Sequence, residues 1–299
     1  MAKGLSAPMF PPGSSPPPPP GSSSTPVGKA PTLGRVTPRF RAPKIILNAV
    51  EGFGKTSCAA YAPEPAIFQA RGETGYETLL GVGLVPSVDS ARIETWGDCL
   101  ALLDEMIAGS DHHKTIALDA IGGLERLCHE FVCARDFGND WGERGFSSFQ
   151  KGYDVSISEW LKFLQRLETL NGRGATILIL GHCRVKTFKN PMGADFDRYT
   201  SDVHDKTWGA TAKWADAVLF GNFLTCVEQA KRDEGNVLKK GKGIGGDKRV
   251  IYTTRTDAYD AKNRYNMPGR IDLVDDHPET NWVCIWNAIR KETTNGAVQ

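Results

Sequence analysis

The segment Ala49-Val50-Glu51-Gly52-Phe53-Gly54-Lys55-Thr56 constrains the fold of this chain more than any other. It follows the apolar run Ile45-Ile46-Leu47 and fits G-x-x-x-x-G-K-[ST], with Ala49 in place of the first glycine. Gly52 and Gly54 let the backbone curl until its N–H groups point inward, and a helix opening at Lys55 adds its positive end. Such a cradle takes phosphate. Lys55 is expected to neutralise the β- and γ-phosphates, and Thr56 to place its hydroxyl on Mg²⁺. The first position tolerates any small residue, so Ala49 leaves the cradle intact. The residues expected to hold nucleotide are Glu51, Gly52, Phe53, Gly54, Lys55, Thr56 and Ser57, with ATP and Mg²⁺ as ligands.

From Lys44 onward, apolar runs of strand length alternate with helical periodicity, the signature of a mainly parallel sheet flanked by helices, an α/β fold. Strands are expected at about 44–49, 65–70, 91–95, 114–120, 175–181, 216–221 and 248–255. Helices fit about 55–61, 97–109, 122–134 and 155–171. The last is the clearest, because Ile157, Trp160, Leu161, Leu164, Leu167 and Leu170 recur at three- and four-residue steps and Asn171-Gly172 supplies a stop. Three segments, 136–152, 184–207 and 232–247, fit no element and are expected to be functional or mobile loops.

Charge divides the chain. Lys and Arg total 36 against 35 Asp and Glu. Residues 1–43 hold 12 of the 18 prolines, five Lys or Arg and no acid, which leaves the other 256 residues at net −4. A Pro/Gly/Ser-rich basic tail of that composition is expected to be disordered, with polyproline II character in Pro16 to Pro20. It has no apolar region of the kind a signal peptide needs, and the chain has no stretch of about 18 apolar residues for a membrane span. Seven scattered cysteines without a C-x-x-C pair argue for a reducing cytoplasm and against a zinc or disulfide framework. The expected division is a tail at 1–43, an ATPase core at 44–274 and a short C-terminal appendage at 275–299.

Two further strands carry chemistry. Thr115-Ile116-Ala117-Leu118-Asp119 ends in an acid, the arrangement in which Asp119 joins Thr56 in holding Mg²⁺. Ile177-Leu178-Ile179-Leu180-Gly181-His182 ends in a polar residue at the same sheet edge, where His182 is placed to sense the γ-phosphate. After the second strand, Glu73 is the candidate to activate water, with Glu77 and Glu51 as competitors.

With these elements in order, the chain resembles the RecA-type ATPase core, specifically the small phage ATP-binding proteins of the Sak group of single-strand annealing recombinases. The resemblance spans about residues 44–274. It rests on the loop Glu51 to Thr56, Asp119, Gly181-His182-Cys183-Arg184 and Ala261-Lys262-Asn263-Arg264-Tyr265. The last is similar to the Lys-Asn-Arg-Phe-Gly motif of RadA, and it implies that Lys262 and Arg264 act across a subunit interface on a neighbour's γ-phosphate. His182 stands where RecA has Gln, and the RecA C-terminal domain and the domains flanking the RadA core have no counterpart here.

By the same resemblance, 136–152 and 184–207 correspond to DNA-contacting loops. The second offers Arg184, Lys186, Lys189 and Arg198, with Phe188 among the aromatics, a mixture suited to phosphates and stacked bases, although its acids bring its net charge close to zero. Lys239-Lys240-Gly241-Lys242 is a second basic candidate. The resemblance implies an oligomeric ring or filament that hydrolyses ATP on single-stranded DNA and promotes annealing or recombination in a bacterial host cytoplasm. Two alternatives share the core: a helicase-like motor or loader, and a nucleotide-gated adaptor whose tail recruits a single-strand DNA-binding protein.

Overall fold

Apolar residues on both sides of each central strand force helices onto both faces of the sheet. In the computed structural model, which describes residues 33–35, 37–109, 111–227, 243–274 and 277–295, β1 (Lys44–Ala49), β2 (Pro65–Ala70), β4 (Thr115–Asp119) and the first half of β5 (Thr176–Phe188) are almost wholly buried. The expected tail at 1–43 falls largely outside these residues, as does Lys239 to Lys242. The strands and helices all belong to the unit that runs from Phe40 onward.

With β3 (Asp89–Ile93), β7 (Ala217–Val227), β8 (Gly243–Tyr252) and β10 (Arg270–Asp272), the sheet order is β10-β8-β7-β1-β5-β4-β2-β3. The six strands from β7 to β3 run parallel, and β8 and β10 add an antiparallel edge. The two-residue β9 (Lys262–Asn263) pairs with the start of β7. The α/β class and the mainly parallel sheet thus agree with the sequence.

Side chains alternate between two cores. Ile46, Ile116, Leu118, Ile177 and Ile179 face α3 (Trp96–Ala108), α4 (Ile121–Phe137) and α5 (Lys151–Gly172), where Trp96, Trp160 and Phe163 form one aromatic cluster. Ile45, Leu47, Leu178 and Leu180 face α1 (Lys55–Ala60), α2 (Gly75–Gly81) and α7 (Asn281–Asn295). Trp282, Ile285 and Ile289 of α7 are buried in that second core. Full burial of one such side chain is worth about 1.5–3 kcal/mol, which holds both helical layers to the sheet.

Several elements differ from the sequence expectation. The segment 184–207, expected as a loop, is ordered: β5 runs on to Phe188 and turns back as β6 (Phe196–Ser201), and α6 (Asp205–Trp214) comes next. A surface hairpin has no continuous apolar face to announce it. β3 begins two residues before its expected start, where Asp89 pairs with Ala66 of β2; Asp89 and Ser90 are exposed and polar and so give no apolar signal. In 136–152, α4 extends to Phe137 and α5 begins at Lys151, with Phe146 buried between them against Val132 and Cys133.

Candidate functional site

The carboxyl ends of β1, β4 and β5 meet on one side of the sheet, where open α/β folds bind ligands. Gly52 and Gly54 take φ of +71° and +95°, a left-handed backbone that side chains resist. At Gly54 a Cβ would also come within 3.1 Å of Arg249 Nη1. The phosphate loop therefore has the conformation its glycines imply. Lys55 is buried, and its Nζ donates to the carbonyls of Ala49 and Val50 at 3.0 and 3.2 Å.

Thr56 and Asp119 are brought together: the Thr56 hydroxyl donates to Asp119 Oδ2 at 2.8 Å. These are hard oxygen donors, side by side and next to Lys55, the donor set Mg²⁺ prefers. The residues present thus fit the ion. Burial pushes the Asp119 carboxyl above its ordinary range, against the Thr56 hydrogen bond and the charges of Lys55 and His182. Burial likewise lowers the Lys55 ammonium, opposed by Cys183, Asp119, Glu73 and Glu51.

Glu73 and His182 complete the cluster. Glu73 Oε1 lies 3.9 Å from His182 Nε2, and burial, followed by repulsion from Asp119, raises the Glu73 carboxyl. Glu51, Glu73, Asp119 and His182 line one cavity of about 550 Å³ with the phosphate loop from Gly52 to Ser57. Of the competing acids, Glu51 shares this cavity, whereas Glu77 turns to Arg92 at 3.6 Å and does not line it.

Sequence reasoning missed three residues here. Arg249 of β8 donates to the Phe53 carbonyl at 3.4 Å and reaches the cavity together with Pro278. Asn281, at the start of α7, is 1 % exposed, and neither end of its amide has a hydrogen-bond partner. It sits by the phosphate loop, 3.2 Å from where a Gly54 Cβ would be. All three lie some 200 residues downstream, and only the strand order brings them back; the sole local signal was the buried apolar stripe of α7.

Lys262 and Arg264 are elsewhere. Lys262 pairs with Val218 at the amino end of the sheet, opposite the phosphate loop, and its Nζ donates to the carbonyls of Ala212, Lys213 and Ala215 at the end of α6. Arg264 is exposed and pairs with Asp216 at 3.0 Å. Within one chain, then, neither joins Lys55.

The cations expected at DNA lie on the β5–β6 hairpin, each with an acid or a carbonyl. Lys186 binds Asp205 at 2.5 Å, Lys189 binds Asp195 at 2.7 Å, and Arg184 reaches the Val203 carbonyl at 3.3 Å. Arg198 is withdrawn from the surface: it is 7 % exposed, pairs with Asp260 and lies over the Phe188 ring at 5.4 Å. Its position on the inward face of β6 gives it a structural role in place of the expected exposed one.

Among the described residues no helix is long and apolar enough to cross a membrane. The sequence has no match among curated proteins. The model of the family described as AAA domain (AAA_24) matches residues 41–265, about three quarters of the chain, with the phosphate loop, Glu73, Asp119 and His182 inside the match, so the chain belongs to that family and carries a P-loop ATPase core.

Proposed function

We propose that this protein is an oligomeric, Mg²⁺-dependent ATPase that binds single-stranded DNA and promotes annealing or homologous recombination in a phage setting. The observation that carries this reading is the course of β5. One strand presents His182 at the nucleotide cavity and continues, without interruption, as the arm of the hairpin that bears Arg184, Lys186, Phe188 and Lys189.

Thr56 and Asp119 would hold Mg²⁺, which would neutralise charge on the phosphates. Lys55 supplies a second positive charge from the loop. Glu73 accepts the proton of the attacking water at its carboxylate, and its burial moves its pKa upward, in the direction a general base requires. His182 orients against Glu73 and senses whether a γ-phosphate is present. Arg264 acts on a neighbouring subunit's nucleotide, since its own phosphate loop lies at the other end of the sheet. Lys262, held by the α6 carbonyls, positions the strand that delivers it.

An ATPase assay with and without single-stranded DNA tests this. Wild type should turn over faster with DNA, Lys55→Ala should abolish turnover, and Arg264→Ala should reduce it strongly while leaving nucleotide binding in the isolated chain intact. Wild-type protein that hydrolyses no ATP with any single-stranded DNA would overturn the enzymatic reading.

A second reading is favoured by the pairing of the hairpin cations, which leaves the arm nearly neutral. In it the chain is a nucleotide-gated adaptor that reaches DNA through a single-strand DNA-binding protein docked on its basic N-terminal segment. Deleting residues 1–43 separates the two: an adaptor loses its partner and keeps nucleotide binding, whereas an annealing ATPase keeps its activity.

A further inference from the structure

At the far edge of the sheet, β3 and the loop between α3 and β4 bring together imidazoles and carboxylates that the nucleotide site does not use. Asp89 opens β3 at the amino end of the sheet, and His112 and His113 lie just before β4. One ligand atom from each of these three residues lies within 4.8 Å of the other two. The two imidazole rings stack with centroids 4.3 Å apart.

His113 is held from both sides. Its Nδ1 lies 2.6 Å from Asp111 Oδ1, and its Nε2 lies 3.0 Å from Asp89 Oδ2. Asp111 thus holds the Nδ1 side of the ring, and Nε2 faces the Asp89 oxygen, the two atoms that would open around a shared cation. A carboxylate behind the second ring nitrogen is the usual companion of a metal-bound histidine, where it sets the tautomer and the ring orientation. Asp111 occupies that position with its side chain only 11 % exposed, so the ring it orients is firmly set.

Distances agree with a small ion. Ligand atoms around a tetrahedral metal at about 2.1 Å lie about 3.4 Å apart. Rotation of Asp89 and His112, which are both exposed, would open the 3.0 Å separation of His113 and Asp89 and close the wider ones, which reach up to 4.8 Å, to this value. Two imidazoles and one carboxylate suit Zn²⁺ and its neighbours in the first transition row, whereas Mg²⁺ takes oxygen ligands.

We propose that Asp89, His112 and His113 form a divalent transition-metal site of the Zn²⁺ type, oriented by Asp111 and completed by solvent. It is separate from the Mg²⁺ position at Thr56 and Asp119. It joins the outermost strand of the sheet to the loop that leads into β4, and so pins an otherwise open edge.

Full-length protein, stripped with chelator and titrated with ZnCl2 at neutral pH, tests the proposal by calorimetry and thermal melting. One equivalent should bind and raise the melting temperature. His112→Ala and Asp89→Asn, both at exposed positions, should each weaken binding at least tenfold, and Asp111→Asn about 10–100-fold. Co²⁺ should give a visible spectrum without a thiolate charge-transfer band. ATPase activity in Mg²⁺ should be unchanged in the His112→Ala variant. Absence of Zn²⁺ binding by wild type would overturn the proposal. So would binding retained by a folded His112→Ala, His113→Ala double variant, or a thiolate band that assigns the metal to cysteine.

Discussion

Thr56 donates its hydroxyl to Asp119 at 2.8 Å across 63 residues of sequence, and this one bond joins the phosphate loop to the end of β4. It also compensates a buried carboxylate. Asp119 is 4 % exposed, and without its donor the charge would be left with fewer partners in a low-dielectric site. Thr56→Ala should therefore lower stability by about 1–3 kcal/mol in denaturant melts and abolish Mg²⁺-dependent hydrolysis. Thr56→Ser, which keeps the hydroxyl, should recover most of both.

Gly54→Ala should eliminate nucleotide binding with little loss of secondary structure. The alanine would have to adopt φ near +95°, and its Cβ would approach Arg249 Nη1 to 3.1 Å and Asn281 Nδ2 to 3.2 Å. Titration with a fluorescent nucleotide analogue, with circular dichroism as the control, reads both effects.

Glu73 and Asp119 predict opposite pH trends for stability and catalysis. Burial raises both carboxyls above their ordinary 4.5 and 3.8. An acid whose folded pKa is raised contributes stability that is present below its unfolded pKa and lost as pH rises through the folded value. The contribution of these two groups to the stability of the ligand-free protein should therefore fall as pH increases above about 4–5. Glu73→Gln should flatten part of that decline and raise the melting temperature at neutral pH. Hydrolysis should run the other way, rising with pH as Glu73 ionises, and the Gln variant should lose that limb and nearly all turnover.

Trp160→Ala should cost about 3–5 kcal/mol. The indole stacks on Trp96 at 5.7 Å, touches Phe163 and donates its buried Nε1–H to Thr211 Oγ1 at 2.8 Å. Truncation opens a cavity between three helices and leaves Thr211 one partner short. Urea unfolding followed by far-ultraviolet circular dichroism measures it.

Asp205→Asn should tighten binding to single-stranded DNA several-fold and steepen its salt dependence, because it releases Lys186 and partly frees Arg184. Fluorescence anisotropy over a series of salt concentrations checks this. An unchanged affinity and slope would remove the hairpin from the DNA surface.

The parallel core was legible because β1, β2, β4 and the start of β5 are uninterrupted apolar runs, as strands buried on both faces must be. The phosphate loop was legible because its chemistry is local, and Asp119 and His182 because each ends such a run. The helix α6 was not, since Thr207 and Thr211 occupy its buried face and threonine does not read as core. The hairpin was missed because Arg184, Lys186, Asp197 and Arg198 are mixed along it with Phe188, Phe196 and Tyr199, and neither side is uniformly apolar. Arg249 and Asn281 were beyond reach for a different reason: their role exists only once β8 and α7 fold back onto a loop made far earlier in the chain.

The hairpin arm has the geometry of a lever. From Cys183 to Phe188 it is hydrogen-bonded to β6 with no turn between it and His182, so it has no joint at which a tilt could be absorbed. Six residues of strand span about 20 Å, and a rotation of about 10° at the nucleotide end would sweep the tip by roughly 3–4 Å. That is about the rise between stacked bases, so in the DNA-binding reading proposed above a small tilt at the nucleotide end would be enough to shift the tip by one base step.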